Sequence, residues 1–150
     1  MKKILCSVLI VILIFIVTGC NKFSTDNIKN NETDNKKEVV NSVKVIINDE
    51  EYIINLENNN TVNSFINILP KELNMKELNG NEKYVYLDIT LPTNSYNPKR
   101  INAGDVMLYG NNCLVIFYKS FDTEYSYTKI GHIDNIPNLG NGDILVKFEK

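Results

Sequence analysis

The segment Val106-Met-Leu-Tyr-Gly-Asn-Asn-Cys-Leu-Val-Ile-Phe-Tyr118 constrains the fold more than any other part of the chain. It reads as a strand over 106–109, a two-residue turn within Gly110-Asn111-Asn112, and a second strand from Cys113. Gly and Asn accept the positive φ that a tight hairpin turn demands. From Cys113 to Tyr118 every residue is apolar or aromatic, so the alternation of a half-exposed strand is missing. Such a strand is expected to be covered on both faces.

The flanking segments supply partners for it. Residues 43–47 and 52–56 are rich in β-branched side chains and flank Asn48-Asp49-Glu50-Glu51, the pattern of a hairpin. Val62, Phe65, Ile66 and Leu69 recur at helical spacing, with Thr61 placed to cap the helix and Pro70 to stop it. Leu73, Met75 and Leu78 suggest another strand that ends at Asn79-Gly80-Asn81, and residues 82–87 a short strand or one helical turn. Residues 88–102 carry Pro92 and Pro98 among Asn, Ser and Thr and read as a loop. Residues 125–133 and 144–149 read as strands, with a turn or short helix over 134–140 between them. Short strands with one or two short helices predict a mainly β domain over 43–150. A closed barrel is the expected architecture, since closure removes exposed edges.

The N-terminus carries a different signal. Lys2 and Lys3 precede residues 4–17, which contain no charge, Pro or Gly. That is the pattern of a signal peptide. As a helix, those residues span roughly 21 Å, short of the roughly 30 Å hydrocarbon core of a bilayer. Val17-Thr18-Gly19-Cys20 resembles the lipobox of bacterial lipoproteins. The resemblance implies that residues 1–19 are removed and that Cys20 receives a diacylglycerol, which anchors more firmly than one acyl chain. Residues 20–42 are mostly Asn, Lys, Asp, Glu, Ser and Thr without periodicity and read as a disordered tether. About twenty such residues reach on the order of 25 Å. The expected location is the extracytoplasmic face of the cell membrane, with the membrane as partner through the lipid.

Cysteine usage and charge exclude several chemistries. With Cys6 in the signal segment and Cys20 in the lipobox, Cys113 is the one cysteine left to the folded domain, so no disulfide within it is expected. Its place in an apolar strand predicts an inert thiol. The formal charge of −2 becomes more negative by two when Lys2 and Lys3 leave with the signal segment, which disfavours a nucleic-acid partner. His132 is the only histidine and no carboxylate or Cys cluster has ligand spacing around it, so no metal site is expected. No Gly-x-Ser-x-Gly occurs, and the lone Gly of Asn79-Gly80-Asn81 cannot cradle phosphate as a glycine-rich loop does.

Three motifs in order, Glu77-Leu-Asn-Gly-Asn-Glu-Lys-Tyr84, Ala103-Gly-Asp-Val-Met-Leu-Tyr-Gly110 and Tyr125-Ser-Tyr-Thr-Lys-Ile-Gly-His-Ile133, resemble the small bacterial cyclophilin-like proteins. The resemblance spans residues 43–149 and implies a cyclophilin-like β-barrel with short flanking helices. Cyclophilin-type prolyl isomerases use an arginine whose donor fork weakens amide resonance, together with Phe-x-x-Gln and Gln-Phe-Phe motifs. Here the only arginine is Arg100, outside any such motif, and Leu114-Val-Ile-Phe117 stands where Gln-Phe-Phe is expected. No catalytic residue is assigned and no cofactor is expected. The expectation is a small-molecule or peptide binding module. The alternatives are a divergent peptidyl-prolyl isomerase acting as an extracytoplasmic foldase and a structural envelope protein. The resemblance also implies where a ligand lies: in a groove bordered by Asn79, Lys83 and Tyr84 and by Tyr118, Tyr125 and Tyr127. Tyr brings an apolar ring with a polar tip, which suits such a rim.

Overall fold

The computed structural model describes residues 40–150. The signal segment, the lipobox with Cys20 and nearly all of the expected tether lie outside the described residues. The fold begins slightly earlier than position 43. β1 spans Ser42–Ile47, the Asn41 carbonyl accepts from the Leu56 amide at 2.9 Å, and Val40 packs on the core.

The strands β1 (Ser42–Ile47), β2 (Glu50–Leu56), β3 (Lys71–Leu78), β4 (Glu82–Tyr86), β6 (Asp105–Tyr109), β7 (Cys113–Phe117), β9 (Tyr127–Ile133) and β10 (Ile144–Glu149) form a closed barrel in the order β1-β10-β3-β4-β7-β6-β9-β2. Every pairing is antiparallel. The mainly β fold class and the closed barrel anticipated from the strand pattern are therefore the observed ones. Among the described residues a single short helix, α1 (Asn60–Asn67), accompanies the barrel.

Turn chemistry sets the hairpins. Asn48 and Asp49 have φ of 52° and 66° and join β1 to β2, a turn that matches strand twist. Asn79 and Gly80 do the same between β3 and β4, with the Asn81 amide donating to the Leu78 carbonyl at 3.3 Å. The central hairpin departs from expectation. Tyr109 pairs with Cys113, so its loop has three residues rather than two. The carbonyls of Asn111 and Asn112 accept from the amides of Leu91 and Leu87 at 2.7 and 2.8 Å, docking the long loop after β4 on the hairpin tip.

The helix keeps its apolar face, but its cap differs. Asn59, not Thr61, is the N-cap, and its side chain accepts from the Val62 amide at 2.9 Å. Thr61 is buried and donates to the Pro92 carbonyl at 2.6 Å, which ties the 88–102 segment to the helix. That segment is not wholly loop. It ends in β5 (Arg100–Ile101), which pairs with β8 (Phe121–Asp122) as a two-stranded sheet outside the barrel.

Alternation places the core. In β1, Val43, Val45 and Ile47 face inward, and in β10, Ile144, Val146 and Phe148. Phe65 of α1 meets Phe148 edge-on at 5.5 Å between centroids. Every residue of β7 is buried, because its two faces enter two clusters. Leu114 and Ile116 join the barrel interior, while Cys113, Val115 and Phe117 join Ile101, Met107 and Tyr127 on the outside. At Gly131 an added Cβ would lie 2.4 Å from the Asn55 carbonyl, so β2 and β9 can approach there only with glycine.

Candidate functional site

A trough of about 350 Å³ runs along the outer face of β4, β7 and β6. Its origin is the register. Tyr86, Cys113, Tyr109 and Tyr127 are successive partners across β4, β7, β6 and β9, and Tyr84, Val115 and Met107 form the adjacent row. Cys113 thus lies between the rings of Tyr86 and Tyr109, and Val115 between Tyr84 and Met107. Strands spaced about 4.8 Å apart set the two walls roughly 10 Å from each other. Cys113 and Val115 make the floor.

The rings brace one another. Tyr84 and Tyr86 meet edge-on at 5.9 Å on one wall. On the other, Tyr109 stands 6.0 Å from Tyr125 and 5.6 Å from Tyr127, and Tyr127 contacts Phe117 at 5.5 Å. Tyr127 is buried at 6% exposure, whereas Tyr86 and Tyr125 are exposed at 64% and 63%, so the rim is open to solvent and the base is packed. Phe121 of β8 closes the side.

One end of the trough is polar, formed by Asn79, Asn81 and Glu82. Burial, with the charge of Glu77 second, pushes the Glu82 carboxyl up to about 7. Burial and then the Glu82 charge push the Cys113 thiol up to about 11, so the thiol on the floor stays protonated at neutral pH. The Asn81 side-chain oxygen is buried without a hydrogen-bond partner.

Of the residues expected to border a groove, Asn79, Tyr84, Tyr125 and Tyr127 line this one. Lys83 and Tyr118 do not. They sit on the inner face of the wall, where strand alternation sends them. Lys83 is fully buried and donates to Glu77 and to the carbonyls of Gly140 and Gly142, the latter two at 2.8 and 2.7 Å. Tyr118 donates to Glu77 at 2.8 Å and lies under the Lys83 ammonium at 5.3 Å. Burial would raise Glu77, but hydrogen bonds from Lys83, Tyr118 and the Gly80 amide outweigh it and hold the carboxyl below its usual range. Burial and the Glu77 hydrogen bond push the Tyr118 phenol up to about 12. This network fastens the trough wall from behind.

Besides these, Asn81, Glu82, Tyr86, Tyr109, Cys113 and Val115 line the trough, and the two floor residues, Cys113 and Val115, are the ones that sequence reasoning did not anticipate there. The signal for them was alternation: Glu82, Tyr84 and Tyr86 share one face of β4, and Cys113 and Val115 share one face of β7. Arg100 lies elsewhere, on β5, donating to Asp122 at 2.8 Å and largely exposed. His132 sits with Nδ1 3.1 Å from Asp105. Among the described residues, no group of three or more His, Cys, Asp or Glu is placed to hold a metal ion.

Neither the curated proteins nor the solved structures yield a match to the chain. The family model described as the cyclophilin-like family matches residues 45–149, the whole of the barrel apart from the start of β1. With its closed barrel and that match over most of its length, the chain belongs to the cyclophilin-like family.

Proposed function

We propose that the protein is a ligand-binding module that takes a small molecule or peptide segment in the tyrosine-walled trough and is held at the outer face of the cell membrane by a lipid on Cys20. The observation that carries the binding reading is the register of Tyr86, Cys113, Tyr109 and Tyr127, which builds an open slot with an apolar floor between braced rings. Its volume of about 350 Å³ lies within the range of small-ligand pockets. Rings with polar tips offer stacking area and hydrogen bonds at low entropic cost. The lipid reading rests on the lipobox-like Val17-Thr18-Gly19-Cys20 after a short apolar run.

The chain has eight tyrosines and no tryptophan, so ring-labelled tyrosine gives a site-resolved readout. Titration of the full-length chain with a library of small fragments is expected to move the signals of Tyr84, Tyr86, Tyr109, Tyr125 and Tyr127. Tyr52, which donates to Glu50 at 2.6 Å, and Tyr118, inside the barrel, are expected to stay still. Shifts confined to Tyr52 and Tyr118, or no shifts at all, count against the trough as the binding site.

A further inference from the structure

The lining of the trough contains one ionisable acid, Glu82, and no lysine or arginine. Glu82 accepts no hydrogen bond among the described residues; its surroundings are burial and the charge of Glu77. The neighbouring cation, Lys83, faces the other side of β4 with all three of its donors engaged, by Glu77 and by two carbonyls. The adjacent lining residue, Asn81, carries a buried side-chain oxygen, an acceptor without a donor. A buried acceptor left unpaired is costly, and a carboxylate in a partly desolvated slot is more so. Both needs are met by one kind of group, a cation that also carries N–H donors.

The rest of the trough fits the same guest. Tyrosine ring faces attract cations. The floor of Cys113 and Val115 and the row of Tyr84 and Tyr86 accept an aliphatic stem. Residues two apart on a strand are roughly 7 Å apart, so a stem leaving Glu82 passes Tyr84 and then Tyr86.

We infer that the trough selects ligands bearing a primary alkylammonium, with the charged end on Glu82 and Asn81 and the stem between the tyrosine rings. This rests on the trough being the binding site. The same group is carried by free alkylamines and by lysine side chains.

The test is isothermal titration of the full-length chain, about one unit above the pH at which Glu82 is half ionised. The probes are n-pentylamine, N-acetyl-lysine N-methylamide, and N-acetyl-norleucine N-methylamide, which keeps the aliphatic stem and lacks the ammonium. Binding of either amine, with loss of at least about tenfold in affinity in Glu82→Gln and in the norleucine probe, supports the inference. Pentylamine alone assigns free amines, and the lysine amide assigns a peptide side chain. Pentyltrimethylammonium has the charge without N–H donors and is expected to bind more weakly; equal binding overturns the role of Asn81. Undiminished binding to Glu82→Gln, equal binding of norleucine, or no binding of either amine overturns the charge selection. In those cases fragment-induced shifts at Tyr84 and Tyr109 show that the trough still binds, whereas their absence removes both readings together.

Discussion

Lys83 donates to Glu77 from inside the barrel, across the hairpin that joins β3 to β4, and the lysine side chain has no exposed surface. The pair is satisfied beyond itself: Lys83 reaches the Gly140 and Gly142 carbonyls, and Glu77 accepts from Tyr118 and the Gly80 amide. Removing one member leaves the other charge buried. Lys83→Ala is therefore expected to cost about 3–5 kcal/mol. Denaturant unfolding measures it, and a loss below about 1 kcal/mol would show that water repairs the site.

Tyr125 and Tyr127 both line the trough but differ in what holds them. Tyr127 is packed against Phe117 and Tyr109, while Tyr125 touches Tyr109 from the exposed rim. Tyr127→Ala should destabilise by about 3 kcal/mol, and Tyr125→Ala by no more than about 0.5 kcal/mol. Ligand affinity should fall in both. A Tyr125→Ala variant with unchanged affinity for every trough ligand would confine the site to the packed rings.

Much of the barrel was legible in the sequence because its signals are local. Asn48-Asp49 fixes a turn by backbone preference, and the apolar run from Cys113 has no alternation to lose. Val62 and Phe65 show their face at helical spacing. Thr61 looked like the cap because its hydroxyl was free to choose; its partner, the Pro92 carbonyl, is 31 residues away. The strands β5 and β8 have two residues each, too few to show a period. Lys83 reads as a surface residue until its acceptors, Gly140 and Gly142, are brought to it from far along the chain. Alternation alone, however, separates Lys83 from Tyr84, since adjacent residues on a strand face opposite ways.

Cys113 on the trough floor is buried at 6% exposure, and its thiol is pushed up to about 11. Near pH 8, alkylation by iodoacetamide should be on the order of a hundredfold slower than for a free cysteine, because the thiolate is scarce. Peptide mapping of the alkylated full-length chain separates Cys113 from Cys6 and Cys20. Reaction at the rate of a free thiol would mean that the trough opens to its floor.

The lipid proposal has its own check. Cys20→Ser should abolish incorporation of labelled fatty acid and leave the precursor unprocessed, with lower electrophoretic mobility. Labelling that continues in Cys20→Ser would place any lipid elsewhere and remove the anchor from the reading. The barrel is expected to be unaffected, since β1 starts at Ser42.

Glu82 and Glu77 should give the stability an asymmetric pH profile. Glu82 is raised from 4.5 to about 7, so the folded state holds a proton that the unfolded chain has released. Across that window folding binds protons, and stability falls as pH rises. The groups around Glu82 act in one direction. Glu77 on β3 adds negative charge, Cys113 on β7 and Tyr127 on β9 are kept neutral, and Lys83 is spent on the inner face. The shift corresponds to about 3 kcal/mol at most, and on the order of 1–2 kcal/mol after solvent screening at the trough mouth. Glu77 works the other way. Its carboxyl is held below the usual range, so its contribution is full above its unfolded value and is lost as pH falls through the folded one. Unfolding free energy measured against pH should decline from about 4.5 toward 8 in the wild type. In Glu82→Gln that decline should flatten, making the variant the more stable protein above pH 7. An unchanged slope would mean that Glu82 is as well solvated in the folded protein as in the unfolded chain.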